Sequence, residues 1–264
     1  MPRGNPCMCL IALSWRTHPR YELALVANRD EFHARPSAPA APAEDDPDVF
    51  GGRDLVQGGG WLQVHRAGRL AAVTNVRVGL AGETAPRSRG ALVHALVRDP
   101  ADAWRDVAAH AGDYGRFNLI AWADGHLDFA SNHPQWRRAQ VEPGLHALSN
   151  ADLDTPWPKT VRARDALAHW LASPAAAAST PWVDPLFAAL AHTQVARDAD
   201  LPDTGVGTEL ERRLSASFIV GPDYGTRCTT VVLVERDTIH FHERRFGPDG
   251  AYAGQVRTVL ERRP

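Results

Sequence analysis

Met8-Cys9-Leu10-Ile11-Ala12-Leu13-Ser14-Trp15 runs into a turn at Thr17-His18-Pro19-Arg20. It resumes as Leu23-Ala24-Leu25-Val26-Ala27 and ends on four polar residues, Asn28-Arg29-Asp30-Glu31. Two short apolar runs about a proline-bearing turn predict a β-hairpin at the start of a sheet. Working outward, Trp61–His65 and Leu70–Val76 read as a second hairpin turned at Arg66-Ala67-Gly68. Phe117–Ala123 and Leu127–Ala130 read as a third around Asp124-Gly125. Further β-rich stretches are Gly144–Ser149, Ser217–Val220, Thr226–Glu235 and Thr238–His242. Within them, Cys228–Val234 is the near-continuous run expected of a strand buried on both faces. Leu92, Val93, Leu96 and Val97 recur at helical spacing, as do Trp104, Val107, Ala108 and Ala111. Pro158–Leu171 reads as a helix, and Asp184-Pro185 as an N-cap and first-turn proline before Leu186–His192. His33–Asp48 reads as a surface loop and Ser173–Thr180 as an alanine-rich connection. Hairpins that flank central helices, with strands returning at the end, give an antiparallel α+β pattern. No repeat or linker divides residues 9–264, which are expected to form a single domain after a prefix at 1–8.

The 264 residues are 44% hydrophobic and 23% charged, with a formal charge of −2. Those values belong to globular proteins and exclude disorder as the main state. No apolar run approaches the ~18 residues of a membrane-crossing helix, so no integral membrane segment is expected. The charge balance shows no nucleic-acid footprint. Cys7, Cys9 and Cys228 are too few for a disulfide framework, and the spacing of Cys7 and Cys9 does not suit zinc. The first residues lack a signal peptide's apolar core, so the cytoplasm is the expected location. Lys159 is the sole lysine among 29 basic residues, which reads as a base-composition bias.

Met8 directly before Cys9 is a plausible initiator, and its removal would give Cys9 a free α-amine. A thiolate is a strong nucleophile, and an α-amine of pKa about 7.7–8 can act as its base. The plainer reading of Cys9 is a small buried hydrophobe. Arg29 is suited to an anion or the thiolate, and Asp30 or Glu31 to an α-ammonium. The plainer reading of all four polar residues is a solvated turn. Asn75 and Asn150 sit at strand ends, where an amide serves an oxyanion or simply a turn. Arg227 precedes Cys228 and, if buried, needs a partner. His65, His94 and His146 are of the type that ligates haem iron, but their spacing singles out none. The glycine clusters match no phosphate-binding pattern.

Nine ordered segments together resemble the NRDE family, also called the transport and Golgi organisation 2 family. They are Met8-Cys9-Leu10-Ile11; Ala27-Asn28-Arg29-Asp30-Glu31-Phe32 with Arg35-Pro36; Gly52-Arg53-Asp54-Leu55; Gly59-Gly60-Trp61-Leu62; Thr74-Asn75-Val76-Arg77; Ser88-Arg89-Gly90; Phe117-Asn118-Leu119; His146-Ala147-Leu148-Ser149-Asn150 with Trp157-Pro158-Lys159; and Tyr224-Gly225-Thr226-Arg227-Cys228-Thr229-Thr230. Gly60, where threonine is more familiar, and the seven-residue prefix depart from the pattern. The family is similar to N-terminal nucleophile hydrolases. That similarity implies a four-layer αββα sandwich of two antiparallel sheets and a cysteine amidohydrolase acting on a small acyl amide, with no cofactor required. It also implies a site of Cys9, Asn28, Arg29, Asp30, Glu31, Asn75, Asn150 and Arg227. The match of Asn28-Arg29-Asp30-Glu31 to the hydrolases' Arg-Asn-x-Asp leaves open whether Asn28 or Arg29, and Asp30 or Glu31, faces the nucleophile. The family's links to Golgi organisation, haem trafficking and acyl-lipid metabolism imply the alternative, a non-catalytic carrier of haem or an acyl-lipid ligand.

Overall fold

The computed structural model describes residues 8–79 and 85–263. In chain order it contains β1 (Met8–Trp15), β2 (Leu23–Phe32), β3 (Ser37–Pro42), β4 (Val49–Asp54), β5 (Leu62–His65) and β6 (Arg69–Asn75). There follow α1 (Arg89–Arg98), α2 (Pro100–His110), β7 (Phe117–Ala123), β8 (His126–Ser131), β9 (Arg137–Gln140) and β10 (Gly144–Leu148). The remainder is α3 (Pro158–Leu171), α4 (Pro174–Ala177), α5 (Asp184–Leu190), α6 (Thr208–Leu214), β11 (Tyr224–Val234), β12 (Thr238–Phe246) and β13 (Tyr252–Glu261). One sheet is ordered β10-β1-β2-β11-β12-β13; the other is a meander, β3 to β9 in chain order. Neighbouring strands in both are antiparallel.

Strand alternation separates three apolar cores. Ile11, Leu13, Leu23, Leu25 and Val232 of the first sheet meet Phe50, Leu70, Ala72, Ile120 and Trp122 of the second. Leu10, Ala12, Ala24, Val26 and Val231 pack instead against Leu167 and Trp170 of α3 and Phe187 of α5. Ala71, Val73, Leu119 and Ala121 cover the other side of the second sheet against Leu92, Val93, Trp104 and Val107 of α1 and α2. The layers are therefore α, β, β, α, as the family resemblance implies.

All three expected hairpins form. Asp124 and Gly125 both take positive φ, 52° and 73°, as a two-residue hairpin turn requires. Several local expectations fail. Asn28–Glu31 is the continuation of β2, not a solvated turn, and all four residues are buried. His33–Asp48 contains β3, an edge strand that tolerates Pro39 and Pro42 because its outer side needs no partner. Ser217–Val220 is irregular. The strand β9 was not anticipated because its residues are all exposed and carry no apolar pattern. Asp184 does not cap α5, whose cap is Val183; its carboxylate meets Arg244 and Arg257 at 2.5 and 2.7 Å.

His242 on β12 gives the fold an acid-sensitive point. Neither ring nitrogen has a hydrogen-bond partner among the described residues. Burial first, then His240 and Arg257, push its pKa down to about 4, against Asp184. The folded state thus holds the neutral ring, while the unfolded chain takes up a proton below about 6.5. Stability is lost as pH falls between those values. Discounted for partial exposure, the loss from this ring is on the order of 2 kcal/mol. Unfolding free energies from urea titrations at pH 7 and pH 4 should differ less in His242→Phe than in the parent by that amount.

Candidate active site

The alternation that orders the core also sorts the polar end of β2. Leu23, Leu25 and Ala27 face the second sheet, so Arg29 and Glu31 do too. Ala24 and Val26 face the helices, so Asn28 and Asp30 do as well. Cys9 stands directly opposite Arg29 and shares its face. Between the sheets' ends lies a cavity of about 70 Å³. Cys9, Arg29, Glu31, Trp61 and Asn75 line it, with Arg35, Asp54 and Arg89 at the rim. The Arg29 guanidinium lies 4.4 Å from the Trp61 ring centre and 3.7 Å from Glu31. Glu31 accepts from the Phe32 amide at 2.8 Å and sits 3.8 Å from Arg35, which forms a two-point pair with Asp54. Trp61 takes this place because Gly52 leaves room. A Cβ at Gly52 would lie 2.2 Å from the indole.

On the opposite face, the Asn28 amide donates to the Leu190 and Ser217 carbonyls at 3.0 and 2.7 Å and accepts from Thr229 at 2.6 Å. It is fully used in tying α5 to the sheet and does not reach the thiol's face. Of Asn28 and Arg29, between which the sequence left the choice open, it is Arg29 that shares the thiol's face, and Asn28 does not. Asp30 stands opposite Met8, the residue before Cys9. Its Oδ1 accepts from the Thr226 hydroxyl at 2.6 Å, and its Oδ2 has no hydrogen-bond partner among the described residues. Burial pushes its pKa up to about 6, against the charges of Lys159 and Arg29 and the Thr226 hydrogen bond.

Asn75 and Asn150 occupy different ranks. Asn75 lines the cavity, whereas Asn150 donates to the Asn75 carbonyl at 2.9 Å. Its neighbour Ser149 donates to the Cys9 carbonyl at 2.8 Å, and Thr74 donates to the Ser149 carbonyl at 2.6 Å. Ser149-Asn150 thus stitches the Cys9 strand to the Asn75 strand. Arg227 is the extra residue of a β-bulge between Thr226 and Cys228. The bulge turns its guanidinium out to the Phe32 and Arg35 carbonyls, at 2.8 and 3.0 Å, so it clamps the turn carrying Arg35 and does not line the cavity.

The rings of His65, His94 and His146 are held by local hydrogen bonds, and none lines the cavity. Asp46, Asp48 and His65 place ligand-type atoms within 4.8 Å of one another. The three residues already serve the loop: Asp46 accepts from the Asp48 amide, Asp48 meets Arg263, and His65 accepts from the Ala67 amide. Residues 1–7 of the expected prefix, with Cys7, lie outside the described residues, whereas Met8 opens β1. Cys9 and Cys228 are both free.

Reading along the chain missed Trp61, Arg35, Asp54 and Arg89 as site residues, although each lies in a family segment quoted above. Convergence of those segments on one cavity is the signal that finds them. The loop bearing Gly58–Gly60 forms one wall. Gly59 has φ +74°, and a Cβ there would lie 2.3 Å from the Gly90 carbonyl oxygen in α1. Backbone cannot yield as a flexible side chain does. Gly59→Ala should cost about 3 kcal/mol, read as a lower thermal midpoint, and should open the wall between Trp61 and α1.

A strand-borne cysteine facing a charged cavity between two helix-flanked antiparallel sheets defines a four-layer α+β protein with an internal polar site. The chain belongs to the transport and Golgi organisation 2 family, whose model matches residues 8–248. Relatives include the "Transport and Golgi organization protein 2 homolog" of Bos taurus, 32% identical, with 90% of this chain and 92% of the relative covered. The Homo sapiens homologue is likewise 32% identical over the same shares. Among solved structures, the Caenorhabditis elegans N-acylethanolamine-hydrolyzing acid amidase ortholog is similar, with a TM-score of 0.43 at 10% identity. That match covers 86% of this chain and 92% of the other.

Proposed function

We propose that this protein is a cysteine amidohydrolase of N-terminal nucleophile type that acts on a small acyl amide in the cytoplasm. The observation that carries the reading is the arrangement around Cys9. Its side chain faces a cavity with Arg29 and Asn75, while the open oxygen of buried Asp30 lies opposite the residue before it. In a chain beginning at Cys9, Asp30 anchors the α-ammonium by a charge-assisted hydrogen bond. The amine in its neutral form takes the thiol proton as sulfur attacks the substrate carbonyl. The Asn75 amide donates to the developing oxyanion, and Asn150 fixes the Asn75 backbone. The carbon–nitrogen bond breaks, and the amine's proton passes to the leaving nitrogen. Water then attacks the thioester, releases the carboxylic acid and returns a proton to sulfur.

Arg29, held by Trp61 and Glu31, keeps positive potential over the reacting centre. The cavity of about 70 Å³ is small beside the roughly 300–1,000 Å³ of sites for drug-sized ligands, which favours a short acyl group over carried haem. No helix among the described residues is long and apolar enough to cross a membrane. Intact mass and N-terminal sequencing of protein expressed from its full gene test the reading. A first residue of Cys9 is expected. A stable chain that keeps Met8 and still hydrolyses amides would contradict it, because its cysteine has no free amine.

A further inference from the structure

The two sheets end in four edge strands, β10, β13, β3 and β9, and three of these are blunted. β3 carries Pro39 and Pro42, and its Ala40 amide donates to Glu243 at 2.9 Å. β9 is four residues long and bears Arg137 and Arg138. On β10, the Ala147 amide donates to the Asp154 carboxylate and the Ala147 carbonyl accepts from the Asp154 amide, both at 2.8 Å. β13 differs from them. It is ten residues long, holds no proline or lysine, and has no strand on its outer side among the described residues. Such an edge is a template for another strand.

The register shows which backbone groups of β13 are open. Its pairing with β12 is regular from Gln255 to Glu261, and just beyond it the Arg262 amide donates to the Asp237 carbonyl at 2.8 Å. Bonded and non-bonded pairs alternate along an antiparallel ladder. Leu260, Thr258 and Val256 therefore turn their backbone groups to β12, whereas Glu261, Val259 and Arg257 turn theirs outward. The Arg66 side chain agrees, since it reaches the Glu261 carbonyl from outside at 3.0 Å and leaves that oxygen a second lone pair. Arg257, Val259 and Glu261 also share one face of the sheet. All three are exposed, Val259 by 54%.

We propose that β13 is the contact surface for a second copy of this chain, which pairs antiparallel to it about a two-fold axis at Val259. Charge complementarity selects both the partner and the register. Along the open edge the residues read cation, aliphatic, anion, and an antiparallel copy reads the same in reverse. Each Arg257 thus faces Glu261 of the second copy, and Val259 meets Val259. An axis at Arg257 would set guanidinium against guanidinium, and an axis at Thr258 would match no charges. Arg257 meets Asp184 of its own chain at 2.7 Å, which holds it on this face. The contact uses the same surface on both copies, so assembly stops at two. An edge ladder buries little side-chain surface, so the dimer should dissociate on dilution. The contact does not depend on the chemistry at Cys9.

Sedimentation velocity of the full chain over a dilution series should show dimer giving way to monomer. Glu261→Arg sets cation against cation at both ends of the ladder, and Arg257→Glu sets anion against anion. Either reversal should weaken the dimer about tenfold. Mixed in equal amounts, the two variants should dimerise as the parent does, because each chain then supplies the charge that the other lacks. Val259→Cys should form a disulfide between copies on mild oxidation, located by peptide mass. Residues opposed in a hydrogen-bonded antiparallel pair have Cα atoms about 5.5 Å apart, within the disulfide range. Tyr252→Cys, exposed on the same strand but remote from the axis, should not link. Monomer at every concentration overturns the proposal. So does a dimer indifferent to both reversals, or one that mixing the variants does not restore. If either reversal prevents folding, the Val259→Cys cross-link decides alone, and its absence overturns the proposal.

Discussion

Cys9→Ala is expected to bring amide hydrolysis down to the background rate, a loss of at least about 10³-fold in kcat/KM, with the fold intact. Ser88 also lines the cavity, but its hydroxyl caps α1 by accepting from the Gly90 amide at 3.2 Å, and an alcohol is a far weaker nucleophile than a thiolate. Cys228 lies on the same face beyond Arg29. Its thiol is pushed well up by burial and by Glu243, which makes it a poor nucleophile. The substitution removes one sulfur next to an existing cavity, so its stability cost should be about 1 kcal/mol, at the small end for core changes. Cys9→Ser is the more demanding variant. It retains the shape and the α-amine but replaces a thiol by a far less acidic hydroxyl, so activity should stay low. Parent-like hydrolysis in a folded Cys9→Ala protein would remove the thiol from the mechanism.

Glu211→Ala should produce the largest stability loss, about 3–5 kcal/mol, the usual cost of removing one partner of a buried ion pair. Glu211 is 2% exposed and Arg77 is 9% exposed. Deleting the carboxylate removes the group that the buried Arg77 guanidinium meets at 2.7 Å, in a site with little water. It also strips the Thr204 amide and hydroxyl of their acceptor. Urea unfolding followed by circular dichroism reads the change as a lower midpoint. Arg77→Met added to Glu211→Ala should recover part of the loss, because the buried guanidinium goes together with the carboxylate it had paired with. A cost below about 1 kcal/mol would mean that water reaches the pair and that the buried charge set is not dry.

The sequence made the frame of this protein legible and hid the inside of its site, for reasons that differ by residue. Hairpins with clear alternation or an Asp-Gly turn were readable because pattern and turn chemistry agree. The strand β9 has no inward-facing apolar residue to betray it, and β3 carries prolines that argue for a loop. The polar end of β2 left a solvated turn open as the plainer alternative to a pocket-facing strand end because polarity predicts exposure, and only tertiary partners such as Leu190, Ser217 and Thr226 make its burial tolerable. The choice between Asn28 and Arg29, and between Asp30 and Glu31, rests on strand parity. Parity becomes known only when the register places Cys9 opposite Arg29. Arg227 was expected to order the site; it lies off the cavity on the Phe32 and Arg35 carbonyls, because a bulge invisible in the sequence redirects it. Lys159 was in plain view as the only lysine, but nothing in the sequence shows that it is buried with its ammonium on the Leu214 carbonyl.

The central claim, that the Cys9 sulfur attacks an acyl carbon, is open to one direct measurement. Protein beginning at Cys9 is mixed with a short-chain acyl amide or activated ester, acid-quenched within milliseconds and digested for mass spectrometry. The account predicts an acyl thioester on the N-terminal peptide carrying Cys9, formed before steady state, lost on longer incubation and absent in Cys9→Ala. Product formation with that peptide unmodified throughout, or with the acyl group on another residue, would contradict it.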